Sequence, residues 1–542
     1  MKSFSDNKAL ALLIFWWGLL FAWRPFVLGF YHDDWVMLSL RGASFDEVFI
    51  EGMARPLLVI LSYLILRIMP PTAIFWHALG ATISLLIAFS VYYACKILIS
   101  KIFPKVEKPS NSFASLIGTL LWLTVPWALG FNAWPVMFIA QLSAAFFCIS
   151  LMIILSNMYI KKKMIYLSIS QLVGFALYEA FWLACVPLYL IYLVAKKKQD
   201  SLFTKVNVAI ALGLCQIVAV VMNRYAASYG ALSKSVNDAW VNTFIYQFVH
   251  LPATLLQPFG KLAWLMMALL VSALLCIRSE QGRVSLRLAV CWSIVCSAFL
   301  FIFIKPLSIP IFVYSTWLLI GACFISIYFY LNRMDTRILG LLACVAGVLL
   351  TVLLHAMAGY GFTGTGLFSR TSMAMTLWLC FGVAIFVAHA QLLGATSFRN
   401  AAFCGVIVIS GFLTYQQVGE WQSAWANEKI IIKNLTPLAN DVGGTYLVET
   451  NGRSTVEGFG AYWDVAAAIK GEKNNDKNDK RRFFASRNGV FNSTWDGEIF
   501  SQSFCGKDGA KVWEYHAERV YFLPLNGSSL ITMGKGMHYG CE

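Results

Sequence analysis

The feature that most constrains this chain is a succession of weakly charged apolar runs, most of them about as long as a bilayer crossing. They occupy residues 9–28, 73–100, 113–131, 135–158, 164–178, 180–195, 206–225, 259–277, 288–304, 311–331, 338–357, 371–391 and 401–417. A bilayer core takes about 20 apolar helical residues, and 164–178 and 180–195 fit as shorter crossings. Only 13% of the 542 residues are charged and 59% are hydrophobic. Soluble domains carry about 25% charged residues, so an ordinary water-soluble enzyme is excluded, and so is disorder over most of the chain. The pattern predicts an all-α polytopic membrane bundle of 13 transmembrane helices.

The run 56–69 is apolar too, but it is short for a crossing and closes on Pro70-Pro71. We read it as a juxtamembrane or re-entrant helix, and the charges support that choice. With a cytoplasmic N-terminus and no crossing at 56–69, the inner segments 1–8, 101–112, 159–163, 196–205, 278–287, 332–337 and 392–400 carry 18 Lys/Arg against five acids. Positively charged loops face the cytoplasm; a crossing at 56–69 would place every later basic cluster outside. The net charge of +15 is therefore a topology signal, and nucleic-acid binding loses its main support. No small-residue cleavage site follows the first span, which reads as an anchor.

Composition changes after Thr414. Residues 418–542 hold 14 Lys/Arg and 15 Asp/Glu and read as a soluble extracytoplasmic (periplasmic) α/β domain, with 1–417 as the transmembrane domain. An amphipathic helical run at 419–436 ends at Pro437. Strand-like runs follow at Thr445–Glu449 and Arg519–Leu523, with a helix at Tyr462–Ile469 and a charged turn or loop at Lys473–Arg482. This domain can recognise an acceptor or cover the active site, or simply stabilise the bundle. Of 13 cysteines, only Cys505 and Cys541 lie in it. An isolated pair in an oxidising compartment is a disulfide candidate.

Seven acids remain outside the inner segments and the outer domain: Asp33, Asp34, Asp46, Glu47, Glu51, Glu179 and Asp238. Five fall in the first outer loop, 29–55, and acids at membrane depth are costly and usually functional. The tightest constellation is Tyr31-His32-Asp33-Asp34-Trp35. One carboxylate can act as a general base toward an attacking hydroxyl. The other can orient it or bind a divalent metal, although no metal or other cofactor is expected. The same acids can equally cap the next helix. Arg55, ahead of Pro56, suits a phosphate at the interface or snorkels there. Glu179 sits between two short spans; Lys305 and Arg370 are lone basic residues in later outer loops. Each can reach a central ligand or stand as an isolated interfacial charge.

Other motifs carry less. Gly359 to Gly364 matches G-x-G-x-x-G but joins two spans without the strand that a dinucleotide site needs. Its glycines suit a tight outer loop. There is no HExxH, Walker motif or paired CxxC, and the seven histidines are scattered. Asn434, Asn492 and Asn526 begin Asn-x-Ser/Thr matches that matter only in a eukaryotic secretory context. Trp16, Trp17, Trp122, Trp127 and Trp134 read mostly as interface or packing residues.

This layout resembles the GT-C superfamily of integral-membrane glycosyltransferases: a first span, an outer loop opening on Asp33-Asp34, then Arg55-Pro56-Leu57 starting a juxtamembrane helix. It is most similar to the phage-type serotype-converting O-antigen glucosyltransferases, and in layout to the lipid A aminoarabinose transferases and protein O-mannosyltransferases. The resemblance is strongest over residues 1–200. Several relatives carry Asp-Glu or a single acid where this chain has Asp-Asp, so either carboxylate can be the base. The resemblance implies transfer of a sugar from a polyprenyl phosphate, usually undecaprenyl phosphate, to a hydroxyl of a surface glycan such as O-antigen lipopolysaccharide. Transfer would take place on the outer face of the bacterial inner membrane, with inversion. It implies Asp33 or Asp34 as base, with Tyr31, His32, Arg55, Glu179, Lys305 and Arg370 around the carrier phosphate or sugar. A small flippase and a polyprenyl-phosphate sugar synthase are the implied partners. An O-antigen polymerase or ligase, whose working residues are expected in later loops, is a second reading. A transporter, which would place charges or broken helices inside the bundle, is a third.

Overall fold

The computed structural model describes residues 4–31, 33–52, 55–196, 200–228, 239–259, 336–360, 362–363, 367–392, 397–438, 444–450, 465, 467–469, 482–487, 491–505, 511–524 and 530–539. Its first half contains α1 (Asp6–Phe21), α2 (Asp33–Ser39), α3 (Phe45–Gly52), α4 (Pro56–Ile68), α5 (Ala73–Ile102), α6 (Lys108–Thr124), α7 (Leu129–Asn132), α8 (Met137–Ala140), α9 (Leu142–Leu155), α10 (Ile160–Leu177), α11 (Cys185–Ala195) and α12 (Leu202–Ser228). Then come α13 (Trp240–Leu256), α14 (Thr336–Met357), α15 (Met373–Leu392) and α16 (Ser397–Leu435).

Among the described residues, seven helices are long and apolar enough to cross a membrane, or eight if the bent pair Lys108–Thr124 and Pro126–Asn132 forms one span. The chain is a membrane protein with a mostly helical body. The expected short crossings 164–178 and 180–195 fall on α10 and on the shorter apolar stretch Glu179–Ala195, neither of which is among those seven or eight helices. The expected spans 259–277, 288–304 and 311–331 lie outside the described residues.

The bundle has two chemically distinct ends. At one, Asp6 pairs with Lys96 and accepts hydrogen bonds from Tyr92 at 2.9 Å and Ser112 at 2.6 Å. Asn157 accepts from Lys101 at 3.5 Å and Lys196 at 2.5 Å, and Arg337 lies over the Phe103 ring. These are the segments that the charge pattern groups on one side. The other end gathers the loop after α1, the segment 126–136, the break at Tyr178–Glu179 and the loop after α14.

Three features position that second end. First, Pro126 has no N–H and forces Val125 into extended backbone (φ −72°, ψ 132°), so the chain bends by 59° after α6. Bonds from Trp127 to Thr376 at 2.9 Å and from Gly130 N–H to the Ser369 hydroxyl at 3.0 Å tie the bent segment to α15 and the turn before it. Second, α4 begins with Pro56 in its first turn, where no N–H is needed. Its 13 residues span only about 20 Å. Its far end returns to the first loop through Arg67, which donates to the Ala43 carbonyl at 2.6 Å. α4 is thus the short apolar helix expected over 56–69. Third, α13 falls within 226–258, which reads as outer loop in the sequence. It packs on α14, with Leu251, Val352 and Met375 in one cluster.

The expected helical run 419–436 is not a separate element. α16 runs unbroken for 39 residues, so the composition change after Thr414 falls part-way along one helix. Beyond it, β1 (Gly444–Thr450), β2 (Arg482–Arg487) and β6 (Arg519–Leu523) form parallel pairs in the order β2-β1-β6, and β7 (Ile531–Thr532) pairs antiparallel with β6. A second, antiparallel sheet has the order β5 (Lys511–His516), β4 (Ile499–Phe504), β3 (Phe491–Trp495), β8 (Met537–Tyr539). The runs expected at Thr445–Glu449 and Arg519–Leu523 are β1 and β6. Of the expected helix Tyr462–Ile469, residues 465 and 467–469 are helical; the rest, and nearly all of Lys473–Arg482, lie outside the described residues. Tyr446, Val448 and Leu523 pack on Ile431 and Leu435 of α16, and Trp35 of α2 packs against the same cluster. The C-terminal portion therefore sits at the end of the bundle that carries the first outer loop.

Candidate functional site

The loop after α1 is anchored before it presents any side chain. Gly29 donates its N–H to the Tyr31 hydroxyl at 3.2 Å, and that hydroxyl donates to the Trp421 carbonyl of α16 at 2.9 Å. His77 contacts the Gly29 carbonyl at 2.7 Å. A Cβ on Gly29 would lie 1.8 Å from the Trp425 ring, so only glycine admits this approach. Phe30, Trp35, Trp421 and Trp425 complete an aromatic seam between the loop and α16, with Trp35 stacked on Trp425 at 6.2 Å. Burial pushes the Tyr31 phenol well above its ordinary pKa, and the Glu428 and Asp34 carboxylates add to the shift. The structure thus commits Tyr31 to holding the loop.

The two acids that open α2 differ. Asp34 is 0% exposed. Its Oδ2 accepts the Tyr31 N–H at 2.8 Å and its Oδ1 accepts the Val136 N–H at 2.7 Å. Such charge-assisted bonds are strong, and they fasten the start of α2 to the bent segment 126–136. Asp33 is half-buried. His32 lies outside the described residues, as do Asp238 and the side chain of Glu51. Glu47 accepts the Ser44 N–H at 2.8 Å while the Ser44 hydroxyl accepts the Glu47 N–H at 3.3 Å, a capping box at the start of α3.

Three of the expected charged residues converge. Arg55 donates from Nε to Glu179 Oε2 at 2.6 Å and from Nη2 to Glu179 Oε1, forming a two-pronged ion pair. The Arg55 guanidinium also lies 4.9 Å from the Tyr178 ring centre. Arg370 lies 4.6 Å from the Trp134 ring centre, and Trp134 donates from Nε1 to the Tyr31 carbonyl at 2.9 Å. Burial opposes the Arg55 charge, but the Glu179 charge and hydrogen bonds outweigh it and raise the guanidinium pKa. Tyr178 is raised by burial and then by Glu179, while Arg55 and Arg370 oppose that shift and Tyr360 adds to it. Asp34, Trp134, Arg370, Tyr178, Arg55, Glu179 and Tyr360 thus form one neighbourhood. Tyr360 follows Gly359, whose φ of +74° suits glycine, and its carbonyl accepts from Gln247 of α13.

Lys305 lies outside the described residues. Cys505 is disulfide-bonded; Cys541, the partner that the sequence suggests, lies outside them too. Among the described residues no group of three or more His, Cys, Asp or Glu side chains is arranged to hold a metal ion. Compared with protein-family models and with curated proteins, the chain matches none.

The sequence reading misses three things here. Tyr178 and Tyr360 flank Glu179 and the glycine-rich loop, and an aromatic next to a lone charge is the signal available for the first. Glu428 is 1% exposed and accepts the Trp35 indole N–H at 3.1 Å; in the sequence it is one of fifteen outer-domain acids. Arg24, just past α1, is 2% exposed. It lies over Phe21 at 3.9 Å and donates to the Asn132 carbonyl at 3.4 Å, adding a second tie between the first loop and the bent segment.

Proposed function

We propose that this protein is a GT-C-type glycosyltransferase of 13 spans with a cytoplasmic N-terminus and a periplasmic C-terminal domain. It moves a sugar from a polyprenyl phosphate to a hydroxyl of a surface glycan at the outer face of the bacterial inner membrane. One observation carries the reading: residues from five separate stretches of sequence, Asp33-Asp34, Arg55, Trp134, Tyr178-Glu179 and Arg370, belong to one neighbourhood at the end of the bundle where the C-terminal portion sits. Two guanidiniums at headgroup depth suit a phosphate. Aromatic faces beside them suit the apolar faces of a sugar or the first isoprene units.

In this reading Asp33 is the base. It takes the proton of the acceptor hydroxyl as the oxygen attacks the anomeric carbon, and the carrier phosphate leaves as an anion stabilised by Arg55 and Arg370. Asp34, whose two oxygens hold backbone N–H groups, positions Asp33 and is not itself the base. Attack opposite the leaving phosphate inverts the anomeric centre. The test uses membranes, a labelled polyprenyl-phosphate sugar and the surface glycan. Asp33→Asn abolishes transfer with normal membrane expression, and Arg370→Ala raises the KM for the donor. Full transfer by Asp33→Asn would refute Asp33 as base. Absence of transfer by wild-type protein across a panel of donor sugars would favour a polymerase, ligase or transporter.

A further inference from the structure

The Arg55–Glu179 pair poses a problem for the reading above. The same Arg55 N–H groups that would hold a phosphate already hold a carboxylate through two bonds. We propose that Glu179 is the resident occupant of the phosphate subsite, and that the anionic phosphate of a polyprenyl carrier displaces it from Arg55. This inference rests on the proposed glycosyltransferase reading and adds a regulatory step to it.

Three observations carry it. A carboxylate and a phosphate present the same pair of acceptor oxygens to a guanidinium fork, so the two compete for Nε and Nη2 of Arg55 and cannot share both. The side chains of the pair are partly open, 34% exposed for Arg55 and 21% for Glu179. Exchange therefore strands no fully buried charge, the outcome that makes breaking a deeply buried pair so costly. Glu179 also sits at a break in the chain. Tyr178 is extended (φ −161°, ψ 132°) where α10 ends, and a new short helix starts at Glu179. Glu179 is thus the first residue of the helical stretch Glu179–Ala195, at a chain break and not inside a helix.

Charge balance points the same way. In the resting arrangement Arg55 and Arg370 neighbour Tyr178 together with the Glu179 carboxylate. A sugar-bearing phosphodiester adds one negative charge beside two guanidiniums, and Glu179, no longer held by Arg55, remains as the second.

The experiment measures binding of undecaprenyl phosphate to the full-length protein in nanodiscs, followed by intrinsic tryptophan fluorescence. Glu179→Gln keeps the shape but weakens the internal competitor. An exposed ion pair contributes up to about 1 kcal/mol and this one is partly buried, so binding should tighten about fivefold or more. Glu179→Asp, whose shorter side chain cannot close both bonds, should shift the same way, and it covers the case in which Glu179→Gln fails to fold. Adding Arg55→Gln to either variant should erase the gain. Equal or weaker binding by both Glu179 variants, with measurable binding by wild-type protein, overturns displacement and leaves the glycosyltransferase reading intact. No binding by wild-type protein or by any variant overturns both.

Discussion

Replacing Asp34 separates a positioning role from a chemical one. Its two oxygens each accept a buried backbone N–H, from Val136 at 2.7 Å and Tyr31 at 2.8 Å. A hydrogen bond to a charged group contributes about 1.5–3 kcal/mol, and a buried donor left without a partner costs about as much. Asp34→Ala strands both donors, so the loss is about 3–6 kcal/mol. Asp34→Asn keeps one acceptor and turns an amide N–H₂ toward the other donor, so it loses about half of that. The lost contact is the one that ties α2 to the bent segment. Unfolding can be followed in detergent with a thiol-reactive dye, because Cys95, Cys148, Cys344 and Cys380 are free and buried in the bundle. Asp34→Ala should melt at a clearly lower temperature than Asp34→Asn, and both below wild type, with transfer lost in step. Asp33→Asn should lose transfer with a much smaller shift in melting. An unshifted melting curve for Asp34→Ala would refute the anchoring role, and so would equal shifts for the Asp33 and Asp34 variants.

Gly29→Ala puts a methyl group into the Trp425 ring and should cost about 1–3 kcal/mol; adding Trp425→Ala should recover part of the loss in the same melting assay. Trp35→Phe keeps the ring against Trp425 but removes the indole N–H that Glu428 accepts at 3.1 Å. It should cost about 1.5–3 kcal/mol and increase protease access between α16 and β1. In the turn before β4, the N–H groups of Ile499 and Glu498 hold the Asp496 carboxylate below its ordinary pKa of 3.8. A depressed folded-state pKa contributes stability above the unfolded value and loses it as pH falls through the folded one. Protection from hydrogen exchange at this turn, taken relative to the intrinsic rate at each pH, should therefore stay constant from neutral pH to about 4.5 and fall below it. Asp496→Asn should remove the acid dependence.

The apolar runs made the bundle legible, because length and charge alone decide which segments can cross a bilayer. The convergence of Arg55, Glu179 and Arg370 was legible for a related reason: lone charges near span ends on one side must share one thin interfacial layer. What they bind to in that layer was not. The anchoring of Asp34 depends on Val136, 102 residues away, and nothing in Asp33-Asp34 distinguishes the two acids. α13 was missed because Asn242, Gln247 and His250 interrupt its apolar run, as suits a helix packed on one face. The boundary placed after residue 417 falls inside α16, because the composition changes part-way along a continuous helix. The strands β3, β4 and β5 were hidden because their polar positions (Ser493, Gln502) are buried and hydrogen-bonded to each other at 3.1 Å, which defeats the simple alternation of apolar and polar.

The length of α16 has a mechanical consequence. Its 39 residues make a rod of about 58 Å, and a hydrocarbon core of about 30 Å leaves nearly half of it standing clear. Glu428, Trp425 and the packing surface of the sheets ride on that half of the helix. Helices adjust their tilt to bilayer thickness, and a tilt change of about 5° swings the end of a free arm of about 28 Å by about 2 Å. At Trp425, about 12 Å along that arm, the same tilt moves the aromatic seam that holds the Asp33-Asp34 loop by about 1 Å.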